Sequence, residues 1–134
     1  RKMAAGDRDQ VREWRNRPHV APHMYSTASI GEEEHARWFA VTLDNPDVLY
    51  WVIEINGGGI GLAYVTGIDR TNHKCSWGFY IGEEDRIGGG IGSAVEACVI
   101  RHVFDTLGMN KLWCVLLSAE WVRLLLIARC LEAG

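Results

Sequence analysis

The sequence predicts an α+β domain, and three observations carry that prediction. Apolar residues recur at helical spacing before Asn45. Runs of β-branched and aromatic residues, separated by turn signals, extend from Val48 to Ile81. A glycine-rich turn, Arg86-Ile87-Gly88-Gly89-Gly90-Ile91-Gly92-Ser93, then leads into another helical pattern and one more strand-like run. With 134 residues the chain is the size of a single domain with one core.

Each element has local reasons. Asp7 is placed to cap a helix through Val11, Trp14 and Arg15, which Pro18 ends. A polar link runs from His19 to Thr27. Ser29-Ile30-Gly31-Glu32 has capping-box spacing and opens a helix carrying His35, Trp38, Phe39, Thr42 and Leu43, stopped by Asn45-Pro46. Val48 to Ile55 reads as a strand, Asn56-Gly57-Gly58-Gly59 as a hairpin turn, and Ile60 to Val65 as the returning strand. Asp69 to His73 is a second polar turn before the strand Lys74–Ile81. Ile91, Val95, Cys98, Val99, His102 and Val103 define a helix to Leu107, and Lys111–Leu117 is a last strand.

A strand, a glycine turn and a helix make an anion site, because glycines admit close approach and the first helical amides are unpaired. The macrodipole adds ~0.3–1 kcal/mol for a negative group there, and a diphosphate is the expected guest. Spacing separates the ligand classes that use such turns. A P-loop needs a lysine closing the run, and none lies between Lys74 and Lys111. A dinucleotide fingerprint needs a third Gly or Ala, but the candidate positions hold Ser93 and Val95. What remains is Gly90-Ile91-Gly92 at a helix start, or a connection that binds nothing.

Hydrophobic residues make up 48% and charged residues 23%, ordinary globular usage. The net charge of −3 gives no reason to expect nucleic acid or an anionic membrane as partner. No apolar run approaches the ~20 residues of a spanning helix. Cys75, Cys98, Cys114 and Cys130 lack paired spacing. They read as reduced thiols in a cytoplasmic protein, with no metal site. A homodimer is left open.

The glycine loop after the third strand of a meander resembles the acyl-CoA pyrophosphate loop of the GNAT N-acetyltransferases, a Gln/Arg-x-x-Gly-x-Gly/Ala pattern. Ile87 falls at its Gln/Arg position, with Arg86 one residue early. The resemblance spans about residues 3 to 117. It implies the GNAT fold, a mixed, mostly antiparallel central sheet flanked by helices, with the last two family strands missing. It also implies acetyl-CoA as cosubstrate, held by Phe79, Tyr80, Ile81, Ile87, Gly88, Gly89, Gly90, Ile91, Gly92 and Ser93.

Trp14-Arg15-Asn16, Met24-Tyr25-Ser26, Glu33-Glu34-His35 and Trp38-Phe39 resemble one GNAT branch. Its members acetylate the 4-amino group of UDP-4-amino-4,6-dideoxy-N-acetyl-β-L-altrosamine, on the way to pseudaminic acid, the sugar placed on flagellin. That likeness implies a sugar-nucleotide pocket lined by Arg15, Met24, Tyr25, His35, Trp38 and Tyr80. The chemistry agrees, since Arg15 can fork onto phosphate and Tyr25 and Trp38 can stack on a base. Each residue also has a plainer role. Trp14 and Phe39 read as core, Arg15 equally as a helix-end cation, and His35 equally as a solvated helix residue.

The implied mechanism is direct attack of an amine on the acetyl thioester, with amides near Phe79 or Tyr80 polarising the carbonyl. The family's usual proton donor is a tyrosine on the helix after the last strand, and a strand carboxylate often serves as base. Lys111–Leu117 holds no carboxylate and Ser118 to Gly134 no tyrosine. His35 is the remaining candidate proton acceptor. Two alternatives stand beside the sugar acceptor: acetylation of a protein N-terminus or other small amine, and acyl-CoA binding without catalysis.

Overall fold

Alternation decides which face each strand residue takes, and the sheet here buries both faces. The computed structural model describes residues 1–21, 30–117 and 122–128, with side chains as far as residue 113. Helices α1 (Arg8–Arg15) and α2 (Glu32–Asp44) come first, then strands β1 (Leu49–Ile55), β2 (Gly58–Asp69) and β3 (Lys74–Ile81). Helix α3 (Ile91–Arg101) is next, then β4 (Lys111–Leu117) and β5 (Val122–Ala128). The sheet order is β1-β2-β3-β4-β5.

On one face, Met3, Val11, Trp14, Phe39, Val52 and Leu62 form a core under α1 and α2, flanked by Tyr50, Tyr64 and Tyr80. On the other, Ala63, Val65, Cys75, Trp77, Val99, Val103 and Leu112 pack under α3, joined by Trp51 and Phe79. Neighbouring residues of β1, β2 and β3 thus serve opposite cores, as a period of two requires.

β1, β2 and β3 form the expected antiparallel meander. The first turn is tighter than its sequence suggested. Asn56 (φ 52°) and Gly57 (φ 80°) alone make it, so β2 already starts at Gly58. Two consecutive positive φ values suit the twist of a hairpin. β3 and β4 are parallel, and they pair only between Lys74–Ser76 and Lys111–Trp113. Beyond that point the two strands part, leaving Trp77–Ile81 unpaired on the β4 side.

Three local expectations change. Asp7 makes no side-chain cap at α1. Its carboxylate takes both guanidinium nitrogens of Arg1 at 2.8 Å and the Ala4 amide at 2.8 Å, which leaves it committed to a charge-assisted pair. The N-cap of α2 is Gly31, again without a side-chain bond, and Ser29 lies outside the described residues. The helical pattern to Leu107 changes character at His102, where α3 continues as a π turn over His102–Thr106, with the Leu107 amide reaching the His102 carbonyl at 3.0 Å. Gly108, at φ 70°, ends it.

β5 was not foreseen. It pairs antiparallel with β4 along its whole length, from Lys111↔Ala128 to Leu117↔Val122. The Val122–Ala128 run, Val-Arg-Leu-Leu-Leu-Ile-Ala, lacks period-two alternation, and its place in the sheet comes from β4's free edge. β5 is thus one further strand of the sheet beyond Leu117.

Candidate active site

The glycine loop has the geometry of an anion cradle. After β3, a short turn at Glu84–Arg86 leads to Gly88, Gly89 and Gly90 at φ 100°, 66° and 80°. Three successive left-handed residues are practical only for glycine. All three are exposed, and nothing lies within 4 Å of where a Cβ would stand. Gly90 is the N-cap of α3. The Ile91 amide makes a long 3.4 Å bond to Gly88, and Ala94 makes the first ordinary helical bond, to Gly90 at 3.1 Å. Among the described residues no acceptor takes the amides of Gly92 or Ser93. They point out of the helix start as a ready anion site.

Gly92 has a different reason to be glycine. A Cβ there would come within 3.3 Å of the Phe79 ring. Phe79 stacks on Trp77, with centroids 5.8 Å apart and planes 8° from parallel, so the strand's aromatic ladder supports the first turn of α3.

The backbone of β3 offers a second candidate element beside the glycine loop. Tyr80 pairs with Leu62, and Gly82 donates to Ile60 at 2.7 Å. Alternate residues of an antiparallel strand bond to the same neighbour. Gly78, Tyr80 and Gly82 therefore serve β2, while Trp77, Phe79 and Ile81 direct their N–H and C=O groups towards the gap where β4 has left. That gap is a polar edge flanked by the glycine loop, fit to pair with an extended chain of amides.

The acceptor candidates gather on the opposite face. Arg15 is 8% exposed and His35 2%, on adjoining turns of α1 and α2. His35 packs against Trp38 (5.4 Å) and Phe39 (5.9 Å), Trp38 sets its edge on Tyr50 (5.5 Å), and Tyr50 stacks on Tyr64 (5.4 Å). Tyr80 completes the row. Burial pushes the Tyr50 phenol up to about 12, and burial raises Tyr80 as well, so both remain protonated donors. His35 is not a solvated helix residue. Burial lowers its pKa, with the positive charge of Arg12 acting the same way, and its Nε2 has no hydrogen-bond partner. A neutral imidazole whose buried Nε2 lacks a partner can donate or accept a hydrogen bond there, according to its tautomer.

Of the expected pocket residues, Arg15, His35, Trp38 and Tyr80 therefore share one face, while Met24 and Tyr25 lie outside the described residues. Trp14 and Phe39, 1% and 3% exposed, are core as expected. Tyr50 and Tyr64 were missed by sequence reasoning. The signal for them was the period-two placement of Tyr50 with Val52 and of Leu62 with Tyr64. Asn16 was also undervalued: its side-chain amide donates to Ile30 O at 3.1 Å and accepts from Ile30 N at 2.9 Å, pinning together the two ends of the segment between α1 and α2.

A hollow of about 630 Å³ lies between α3 and β1, walled by Trp51, Ile53, Val95 and Cys98. It is on the other side of the sheet from Arg15, His35 and Tyr80, so it does not contribute to the acceptor pocket. The buried Cys75 thiol is pushed up to about 11 by desolvation and is inert at neutral pH. No helix among the described residues is long and apolar enough to cross a membrane.

The model of the acetyltransferase (GNAT) domain matches residues 1–120. No curated protein shows a matching sequence. Several solved structures share the fold at low identity. A spermidine N-acetyltransferase from Vibrio cholerae, in complex with CoA and spermine, superposes with a TM-score of 0.79 at 14% identity, over 87% of this chain and 69% of that one. A domain from Methanocaldococcus jannaschii gives 0.75 at 20% identity, covering 90% and 77%. An aminoglycoside acetyltransferase in complex with coenzyme A gives 0.74 at 15% identity, covering 90% and 75%. With the family model spanning nearly the whole described chain, and a glycine cradle beside a parted β3–β4 pair, the chain belongs to the GNAT family and is an acetyl-CoA-dependent N-acetyltransferase.

Proposed function

We propose that this domain acetylates the 4-amino group of a UDP-linked amino sugar of the pseudaminic acid route. The observation that carries this reading is the set of arginines near the acceptor face. Arg15 is buried there, and after burial itself Arg12 and Arg8 lower the His35 pKa, with Asp9 acting the other way. A cationic pocket with stacked aromatic walls suits a nucleotide diphosphate. A polyamine or aminoglycoside, the acceptors named for the fold neighbours, would call for carboxylates instead.

In this reading the diphosphate of acetyl-CoA rests on the Gly88–Ser93 amides, and its pantetheine pairs with the edge groups of Trp77 and Phe79 and the Ile81 amide, the Ile81 carbonyl being taken by His19. The sugar amine, as the free base, attacks the thioester carbon. The new C–N bond forms, the C–S bond breaks, the amine gives up a proton and the departing thiolate takes one. The thiolate resembles cysteine in basicity, near pKa ~8.5, so a donor assists its departure. His35, whose Nε2 is buried and without a hydrogen-bond partner, is the proton acceptor assigned to the acceptor pocket. By resemblance alone, Met24 and Tyr25, which lie outside the described residues, belong to the same sugar-nucleotide set.

The test is acetylation by the full-length protein of three acceptors: the UDP-amino sugar, spermidine and peptides with free N-termini. The sugar should exceed the others in kcat/KM by about a hundredfold or more, since a site that hydrogen-bonds an acceptor's charged groups rejects acceptors that lack them. Turnover of spermidine or peptide without turnover of the sugar refutes the acceptor assignment. CoA binding without turnover of any amine refutes catalysis altogether.

A further inference from the structure

A polar clasp joins the end of β3 to the end of α1, and nothing in the acetyl transfer itself calls for it. Glu83, the second residue after β3, accepts from Trp14 Nε1 at 2.9 Å through one oxygen and from Arg17 Nη1 at 2.9 Å through the other. The same Arg17 nitrogen donates to Gly82 O at 2.8 Å, and Nη2 pairs with Glu13 at 2.8 Å. His19 Nε2 lies 2.9 Å from Ile81 O, one of the carbonyls on the free edge. The Trp14 ring lies flat against Gly82, where a methyl group would overlap it. The Trp14 hydrogen bond, ahead of the Arg17 charge, holds the Glu83 carboxyl below the usual range.

The clasp matters because the loop beyond it has no tether of its own. From Glu84 to Gly90 no side-chain hydrogen bond or ion pair ties the loop to the rest of the described residues, and Glu84 through Gly90 are all exposed. The cradle thus hangs between two anchors, α3 on one side and Glu83 on the other. Three left-handed glycines in open space have little of their own to fix their direction.

We propose that Glu83 is a positioning residue: bridging Trp14 and Arg17, it aims the glycine cradle at the coenzyme's diphosphate and ties that aim to the end of α1. This rests on the reading of Gly88–Ser93 as the diphosphate site. The partners that hold Glu83 sit on α1 and the residues after it, so a carboxylate at the donor site is held by the chain that leads into the acceptor side.

The experiment measures acetyl-CoA affinity by calorimetric titration, with kcat at saturating acetyl-CoA alongside. Glu83→Ala should raise the Kd for acetyl-CoA about tenfold and Glu83→Gln, which keeps an acceptor for Trp14, about threefold, while kcat stays within about twofold. Arg17→Met added to Glu83→Ala should cost little more than Glu83→Ala alone, because both act through one contact. A merely structural role would lower the melting temperature and the active fraction, and hence kcat, with Kd unmoved. Wild-type affinity in Glu83→Ala overturns the clasp. If that variant does not fold, wild-type affinity in Glu83→Gln and Arg17→Met together does so. Gly90→Glu serves as the reference: if it binds acetyl-CoA like wild type, the loop reading has failed and the clasp is not at issue.

Discussion

Gly90→Glu sets a carboxylate at the N-cap of α3, where the diphosphate is expected. Gly90 has φ 80° and nothing within 4 Å of a would-be Cβ, so the substitution meets no steric clash. It does force a side chain into left-handed backbone, at about 1 kcal/mol. In a domain of this size that lowers the melting temperature by about 3–5 °C. Gly90→Ala carries the same strain without the charge and isolates it. Like charges about 6 Å apart repel by about 1.4–2.8 kcal/mol at effective dielectric constants of about 40 to 20. That weakens acetyl-CoA binding about ten- to a hundredfold. At a ligand concentration of a hundred times the wild-type Kd, wild type gains ~2.7 kcal/mol, while a hundredfold weaker variant gains only ~0.4 kcal/mol. In scanning calorimetry with and without acetyl-CoA, wild type should shift by about 10 °C, Gly90→Ala by most of that, and Gly90→Glu by about half of it at tenfold weakening and about 1–2 °C at a hundredfold. A full shift in Gly90→Glu would refute the diphosphate assignment, and a lost shift in Gly90→Ala would show that backbone strain alone explains the effect.

Two further outcomes rest on the same geometry. His35 titrates below its ordinary value in the folded chain, so between that lowered pKa and ~6.5 the unfolded chain binds the extra proton and stability falls as pH drops. His35→Phe should flatten the melting temperature between pH 7 and 5 and abolish acceptor turnover while acetyl-CoA affinity is kept; an unchanged pH profile would mean His35 is not the group responsible. Gly82→Ala drives a methyl group into the Trp14 ring, which is 1% exposed and cannot yield easily, so chemical denaturation should show a loss of about 3 kcal/mol, and a loss under ~0.5 kcal/mol would contradict the packing.

Local chemistry made part of this protein legible from its residues. The Gly88–Gly92 run, the strand before it and the helix after it are contiguous, so their joint geometry was encoded in the single stretch from Lys74 to Arg101. The meander was equally readable, since Asn56-Gly57 and Asp69 to His73 are turn chemistry. The acceptor wall was less so. Arg15, His35, Trp38 and Tyr80 could be singled out, but Tyr50 and Tyr64 join them only through the β1–β2 register.

The meander, the glycine-rich turn before α3 and the lack of a carboxylate in Lys111–Leu117 are properties of the sequence alone, because propensity, periodicity and glycine content act over a few residues. The tertiary structure decided the burial of His35, the parting of β3 from β4 after Ser76, the docking of β5 and the bridge from Glu83 to Trp14 across 69 positions. Those features depend on which distant segments meet. A chain's local preferences do not determine that until its hydrophobic faces have been brought together.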